Sequence, residues 1–189
     1  LRVRIVLRGE RAHTARPWMW RNAIHRLAGI LTALDAYDER QPELLGCRYR
    51  EALQAVRVEG GVAGNVVPDR CELLVNHRFA PDRTGDEAEA HVRAVLAPWL
   101  EEGDTFEVVD RADGAAPGLD HPVLATLVER NGLTVRAKLG WTDVARFAAA
   151  GIPAVNFGPG DAEVAHMAGE YVTRDQVERV WAATEDLLR

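Results

Sequence analysis

Arg70-Cys71-Glu72-Leu73-Leu74-Val75-Asn76-His77-Arg78-Phe79 is the stretch on which the fold turns. In extended backbone successive side chains point to opposite faces, so Cys71, Leu73, Val75, His77 and Phe79 share one face, and Leu74, Asn76 and Arg78 the other. A period of two over this length predicts a strand buried on one side. Working outward, Leu53 to Glu59 reads as a second strand, joined to the first by the glycine-rich loop Gly60 to Asp69. At the N-terminus Val3, Ile5 and Leu7 alternate with Arg2, Arg4 and Arg8, giving a third strand. Between about 18 and 38 the period lengthens, and Ile24, Leu27, Ala28, Leu31 and Leu34 form a helical stripe. A second helix is predicted over Asp86 to Leu100, followed by a short strand over Thr105 to Val109. Strand, helix, strand, strand, helix, strand is the order of the ferredoxin-like split βαβ arrangement, an antiparallel sheet with both helices on one face. Residues 1–110 are expected to form one α+β domain.

The stretch Arg111 to Gly118, rich in Gly, Ala and Pro, suits a domain crossing. Beyond it, Asp120 is placed to cap a helix running to about Arg130. Leu133 to Leu139 reads as a strand, Thr142 to Ala150 as a helix stopped by Gly151, and Ile152 to Phe157 as another strand. Thr173 and Gln176 have capping-box spacing for a last helix. This order predicts part of a parallel α/β layer, and two strands are too few for such a sheet to stand alone. Residues 111–189 are therefore expected to be a portion of a domain whose other strands lie elsewhere. The chain opens at Leu1, directly in a strand alternation and without Met, and further sequence is expected to precede it.

Composition narrows the function. The 189 residues are 47% hydrophobic and 28% charged, ordinary for a globular protein. A net charge of −6 argues against a phosphate-backbone binder, so no nucleic-acid partner is expected. No apolar run approaches the roughly 20 residues of a membrane span, and no membrane partner is expected. Cys47 and Cys71 lack the spacing of a disulfide framework or thiolate zinc site, which fits reduced thiols in a cytoplasmic protein. The chain contains no serine, which excludes a serine nucleophile.

Polar groups concentrate in three segments. His13 lies in Arg8 to Pro17, just past a strand; a loop histidine is a reactive group or simply a solvated one. Asn65, in a glycine-rich turn, and Arg78, on a strand, can each hold a carboxylate, or can be a turn amide and a solvated guanidinium. The last segment, Ile152 to Glu170, carries Gly158-Pro159-Gly160 and His166. Imidazole is a good zinc ligand, but a catalytic zinc takes three protein ligands and water; no His-Glu-x-x-His pattern accompanies His166, and the acids nearest it, Asp161, Glu163 and Glu170, are of the kind that cap a helix start or face solvent.

Taken in order, Arg11-Ala12-His13-Thr14-Ala15-Arg16-Pro17, Gly61 to Asp69, Asn76-His77-Arg78-Phe79, Gly140-Trp141-Thr142-Asp143 and Asn156-Phe157-Gly158-Pro159-Gly160 through His166 and Glu170 resemble the di-zinc amidohydrolases of the aminoacylase, carboxypeptidase and deacylase type. The resemblance spans the whole chain. It implies that residues 1–110 are a lid, which forms a homodimer, and that residues 111–189 are the C-terminal portion of an α/β zinc-hydrolase catalytic domain. It implies hydrolysis of an N-acyl amino acid amide with two zinc ions, cobalt being the other candidate metal. His13 is then expected to enter the partner subunit's site and stabilise an oxyanion, Asn65 and Arg78 to bind substrate carboxylates, and His166 to ligate zinc. Thr142, Gly158 and Gly160 line the cleft on this reading. Some relatives carry an aromatic residue where this chain has Arg16, so Arg16 either meets a substrate carboxylate or an acid of the lid. The competing readings are a deacylase for a different N-acyl amino acid, and a dimerisation module without activity by itself.

Overall fold

The alternation of residues 70–79 becomes an inner strand of an antiparallel sheet. The structure, a computed structural model, describes residues 1–165 and 167–188. It divides into two units, one of Leu1–Pro42, Tyr49–Gly114 and Leu139–Trp141, the other of Glu43–Arg48, Ala115–Lys138 and Thr142–Arg189.

The first unit opens with β1 (Arg2–Arg8), the short β2 (Ala12–His13) and α1 (Leu27–Asp35). Next in the chain, β3 (Glu43–Leu44) and β4 (Cys47–Arg48) form a small hairpin that belongs to the second unit. The first unit resumes with β5 (Ala52–Gly60), β6 (Val66–Val67), β7 (Arg70–Arg78), α2 (Gly85–Leu96) and β8 (Thr105–Asp110). The four long strands lie in the order β5-β7-β1-β8, and every adjacent pair is antiparallel. Ile5 sits opposite Leu73 on one side and Phe106 on the other. A bulge between Ala55 and Arg57 leaves Val56 outside the register.

One apolar cluster gathers Val3, Ile5, Leu7, Leu53, Leu73 and Val75 from the sheet with Leu27, Ile30 and Leu34 of α1 and Ala88, Val92 and Leu96 of α2. Both helices therefore cover the same face. Each fully buried aliphatic side chain contributes about 1.5–3 kcal/mol relative to exposure. The other face carries charge pairs: Arg2 with Asp110, Arg4 with Glu107, Arg57 with Glu59 and Arg70 with Glu72.

Helix limits follow local chemistry. The expected helix over 18–38 is shorter, because Asn22 turns its side-chain oxygen to the N–H groups of Ile24 and His25, and the α-helix starts only at Leu27. Thr84 forms a capping box with Glu87 at the start of α2. Pro98 cannot continue the α-helical ladder, and Ala97–Trp99 tightens into a 3₁₀ turn.

In the second unit, α3 (Pro122–Asn131), α4 (Val144–Ala149) and α5 (Arg174–Leu187) are formed. Asp120 lies in a 3₁₀ turn and His121 takes the cap position of α3, one residue later than expected. Gly132 ends α3 in left-handed backbone, φ 55°, a conformation in which a Cβ is strained. Arg130 and Asn131 of α3 reach Asp186 of α5 at 2.6 and 3.3 Å. Thr173 and Gln176 form the expected capping box.

The two strands expected over Leu133–Leu139 and Ile152–Phe157 are not formed; both segments are irregular. The α/β layer expected for residues 111–189 is thus corrected to helices joined by extended loops. A strand exists through the neighbour that takes its backbone hydrogen bonds, and no described strand runs beside these segments. Their apolar side chains stay exposed, Ile152 at 51% and Phe157 at 40%. No described helix is long and apolar enough to cross a membrane.

Candidate functional site

Gly9 is the root of the first cluster. A Cβ there would lie 2.3 Å from the Arg21 carbonyl and 2.7 Å from the Ala23 nitrogen, both backbone atoms, so three chain segments meet at a point that only glycine leaves open. Gly9 N–H donates to Asp69 O at 2.9 Å, Glu10 N–H to Arg21 O at 2.8 Å, and Ala23 N–H to Pro68 O at 2.9 Å. Arg11 adds an ion pair to Asp69 at 3.0 Å, which holds that carboxyl below its usual range.

From this root β2 pairs antiparallel with β6, placing His13 opposite Val66. His13 is therefore held in a short ladder and not in a free loop, a constraint its position after β1 did not reveal. Thr14 N–H donates to Asn65 O at 3.1 Å, which brings the His13 and Asn65 segments side by side. The ring is oriented too: His13 Nδ1 accepts from Ala15 N–H at 3.1 Å. A neutral imidazole that accepts at Nδ1 carries its proton at Nε2, so the remaining ring nitrogen is a donor. Arg16 N–H returns to His13 O at 3.0 Å, which closes the turn. The Arg16 side chain is exposed and has no carboxylate within ion-pair distance among the described residues. Immediately after it, Trp18 is 79% exposed and Met19 and Trp20 are also open to solvent, an apolar tip that the run Pro17-Trp18-Met19-Trp20 signals in the sequence.

Arg78 does not join this pair. Arg8 pairs with Arg70 at one end of β7, where β1 runs into the His13 segment, whereas Arg78 closes the other end beside Ala52. At about 3.3 Å per residue, roughly 26 Å separates the two ends of the strand. His77, next to Arg78, is buried with both ring nitrogens unpartnered. Burial pushes it down to about 4, against the pull of Glu51, in the company of His91 and Arg83.

In the second unit, Thr142 Oγ1 accepts from Asn156 Nδ2 at 3.1 Å. Asn156 leads straight into Phe157-Gly158-Pro159-Gly160, so the bond ties the Thr142 and Gly158–Gly160 segments together. Gly160 adopts φ 93°, closed to most side chains. Asn156, which opens the quoted motif but carries no role in the sequence analysis, is the residue that joins them. The expected metal ligand His166 lies outside the described residues. Among those described, no three His, Cys, Asp or Glu side chains converge on a possible metal position, so they do not by themselves fit a metal centre.

Residues 1–104 match the Peptidase dimerisation domain of the M20 peptidases. The chain belongs to that family. Over all of its length it is 50% identical to a Mycobacterium tuberculosis protein that carries the name succinyl-diaminopimelate desuccinylase DapE, of which it covers 51%. It is 42% identical to the succinyl-diaminopimelate desuccinylase of Corynebacterium glutamicum, again covering 51% of that protein. The chain spans about half the length of the curated relatives it matches. A Staphylococcus aureus tripeptidase has the same fold, with a TM-score of 0.70 and 18% identity over 98% of this chain and 50% of that one.

Proposed function

We propose that this chain supplies the lid and part of the substrate cleft of a cytoplasmic zinc hydrolase that cleaves N-succinyl-LL-2,6-diaminopimelate to succinate and LL-2,6-diaminopimelate, a precursor of lysine and of peptidoglycan. Residues 1–110 are the ferredoxin-like lid and dimerisation domain, and residues 111–189 the C-terminal portion of the catalytic domain. The observation that carries this reading is the separation within β7. The His13–Asn65 pair and Arg78 sit at opposite ends of one strand, too far apart to hold one amino-acid-sized substrate. Two copies related by a two-fold axis resolve this, since each can lend His13 and Asn65 to the site that contains the other's Arg78.

The chain's own residues then bind, orient and donate. His13 Nε2–H donates to the oxygen on which charge develops as water adds to the amide carbonyl. Removing one such donor typically costs on the order of 10²–10³ in rate. Asn65 and Arg78 take substrate carboxylates, Arg78 through its paired N–H groups. Arg16 is close enough to His13 in the turn to take a further carboxylate, and Thr142, Gly158 and Gly160 form the cleft wall. His166 is the metal ligand of this chain, and the other ligands come from the part of the relatives' length that it does not match.

Mixed dimers of the full-length protein test the trans arrangement. Subunits carrying His13→Ala and subunits carrying His166→Ala are each expected to form inactive homodimers. After mixing and exchange, half the dimers are hybrid and each hybrid has one intact site, so activity should return to about a quarter of the parent's. No recovery despite proven exchange would sink the arrangement. Turnover of succinyl-diaminopimelate well above that of acetylornithine is the expected substrate preference; the reverse would point to the related deacylase.

A further inference from the structure

Behind Arg78 lies an ionic knot, centred on the buried Glu51, that neither the alternation nor the resemblance touches. Glu51, 1% exposed, precedes β5 and accepts from three donors: Arg40 Nη2 at 2.7 Å, Arg83 Nη1 at 3.0 Å and the backbone N–H of Ala80 at 3.0 Å. Its own N–H donates to Arg40 O at 3.0 Å. Arg40 also forks onto both carboxylate oxygens of Asp82 at 2.7 Å. Two carboxylates and two guanidinium groups thus neutralise one another around the buried Glu51, with Arg40 and Asp82 reaching towards solvent.

The place of this knot relative to Arg78 is specific. Ala52, the residue after Glu51, is the ladder partner of Arg78. Ala80, whose N–H the Glu51 carboxylate holds, lies two residues beyond Arg78. On the other side of Arg78 the His77 ring is fully buried, which fixes the alternation and leaves the Arg78 side chain on the opposite, exposed face. Arg78 is therefore held from its strand partner, from two residues ahead and from one behind. Its charge is also unspent: Arg2, Arg4, Arg57 and Arg70 on that sheet face have carboxylate partners, whereas Arg78 has none within ion-pair distance among the described residues.

We propose that Glu51 is a positioning residue for Arg78: by fixing both flanks of that rung and occupying the two neighbouring guanidinium groups, it presents Arg78 rigid and unpaired to the substrate's carboxylate. This rests on the reading of Arg78 as a carboxylate contact. A flexible four-bond side chain is only as well placed as its backbone, and small misplacements in a binding constellation are costly.

A double-mutant cycle in the full-length protein, with succinyl-diaminopimelate as substrate, tests it. Glu51→Gln should raise KM about tenfold and leave kcat within about twofold, with metal content and dimer state unchanged. In an Arg78→Ala background the same substitution should change KM by less than about twofold, because its target is gone. Equal effects in both backgrounds would reduce Glu51 to a structural role and overturn the proposal. Should Glu51→Gln fail to fold, Arg83→Gln, which removes one guanidinium contact from the carboxylate, is expected to give a smaller KM rise that also vanishes with Arg78→Ala; persistence of that rise would equally overturn it. If Arg78→Ala alone leaves KM unchanged, the assignment of Arg78 fails and the role of Glu51 falls with it, a result distinct from the additive one.

Discussion

Ile5 and Phe157 are both apolar residues in stretches that read as strands, yet Ile5 is completely buried and Phe157 is 40% exposed. The contrast runs through the two units. In the first, a sheet of four strands has a neighbour for each long strand and two helices to cover its apolar face. In the second, Leu127 and Ala183 are buried where α3 and α5 meet, while Ile152, Val155, Phe157 and Trp181 are left open. Periodicity reports which side of a segment is apolar; it does not report whether anything is present to receive that side. The first unit closes its own core, and the second leaves much of its apolar surface uncovered.

Core truncation should expose this difference most strongly. Ile5→Ala is expected to cost about 2–5 kcal/mol, whereas Phe157→Ala should stay within roughly 0.5 kcal/mol, both read from urea midpoints. Similar losses at the two positions would mean that the second unit is as well packed as the first.

Acid should act next, and on the first unit. His77 has a folded value of about 4 against an ordinary 6.5, so the unfolded chain binds its proton first. The stability linked to His77 is full above pH 6.5 and is lost as pH falls from there towards 4, on the order of 3 kcal/mol in all. The carboxyl of Glu51 adds a loss in the same direction at lower pH: burial alone would raise it, but Arg40, Ala80 and Arg83 hold it below its usual range. Amide exchange of β1 and β7 at pH 7 and pH 4.5 should show the change. His77→Leu should flatten it between those values; an unaltered pH dependence in that variant would place the acid sensitivity elsewhere.

The smallest effects concern the caps. Thr84→Ala and Thr173→Ala each remove a capping box and should each cost about 1 kcal/mol. Exchange should quicken in α2 for one variant and in α5 for the other. Spread of either effect into the other helix would join the two units into one cooperative block.

The four long strands and both helices of the first unit were legible because each buries a face of fixed period, and the residues of 70–79 alone assign theirs. The two strands misread in the second unit carry the same signal without a receiving surface. For the site, residue types and order picked out His13, Asn65 and Arg78, while their distances depended on pairing. The two-residue ladder that holds His13 is too short to leave a period, and it shows only as hydrogen bonds to the Asn65 segment. The Arg40–Glu51–Arg83 knot joins residues far apart in sequence, and no local pattern marks it. The bond from Asn156 to Thr142 was hidden for a similar reason, since Thr142 lies across an intervening helix.

Strand β7 also works as a ruler with a coarse scale. One residue more between Arg70 and Arg78 would turn the terminal guanidinium to the helix-covered face, while two would restore its face and lengthen the span by about 7 Å. The distance between the histidine end and the arginine end can change only in such steps, so length variation in this strand is expected to come in pairs or not at all.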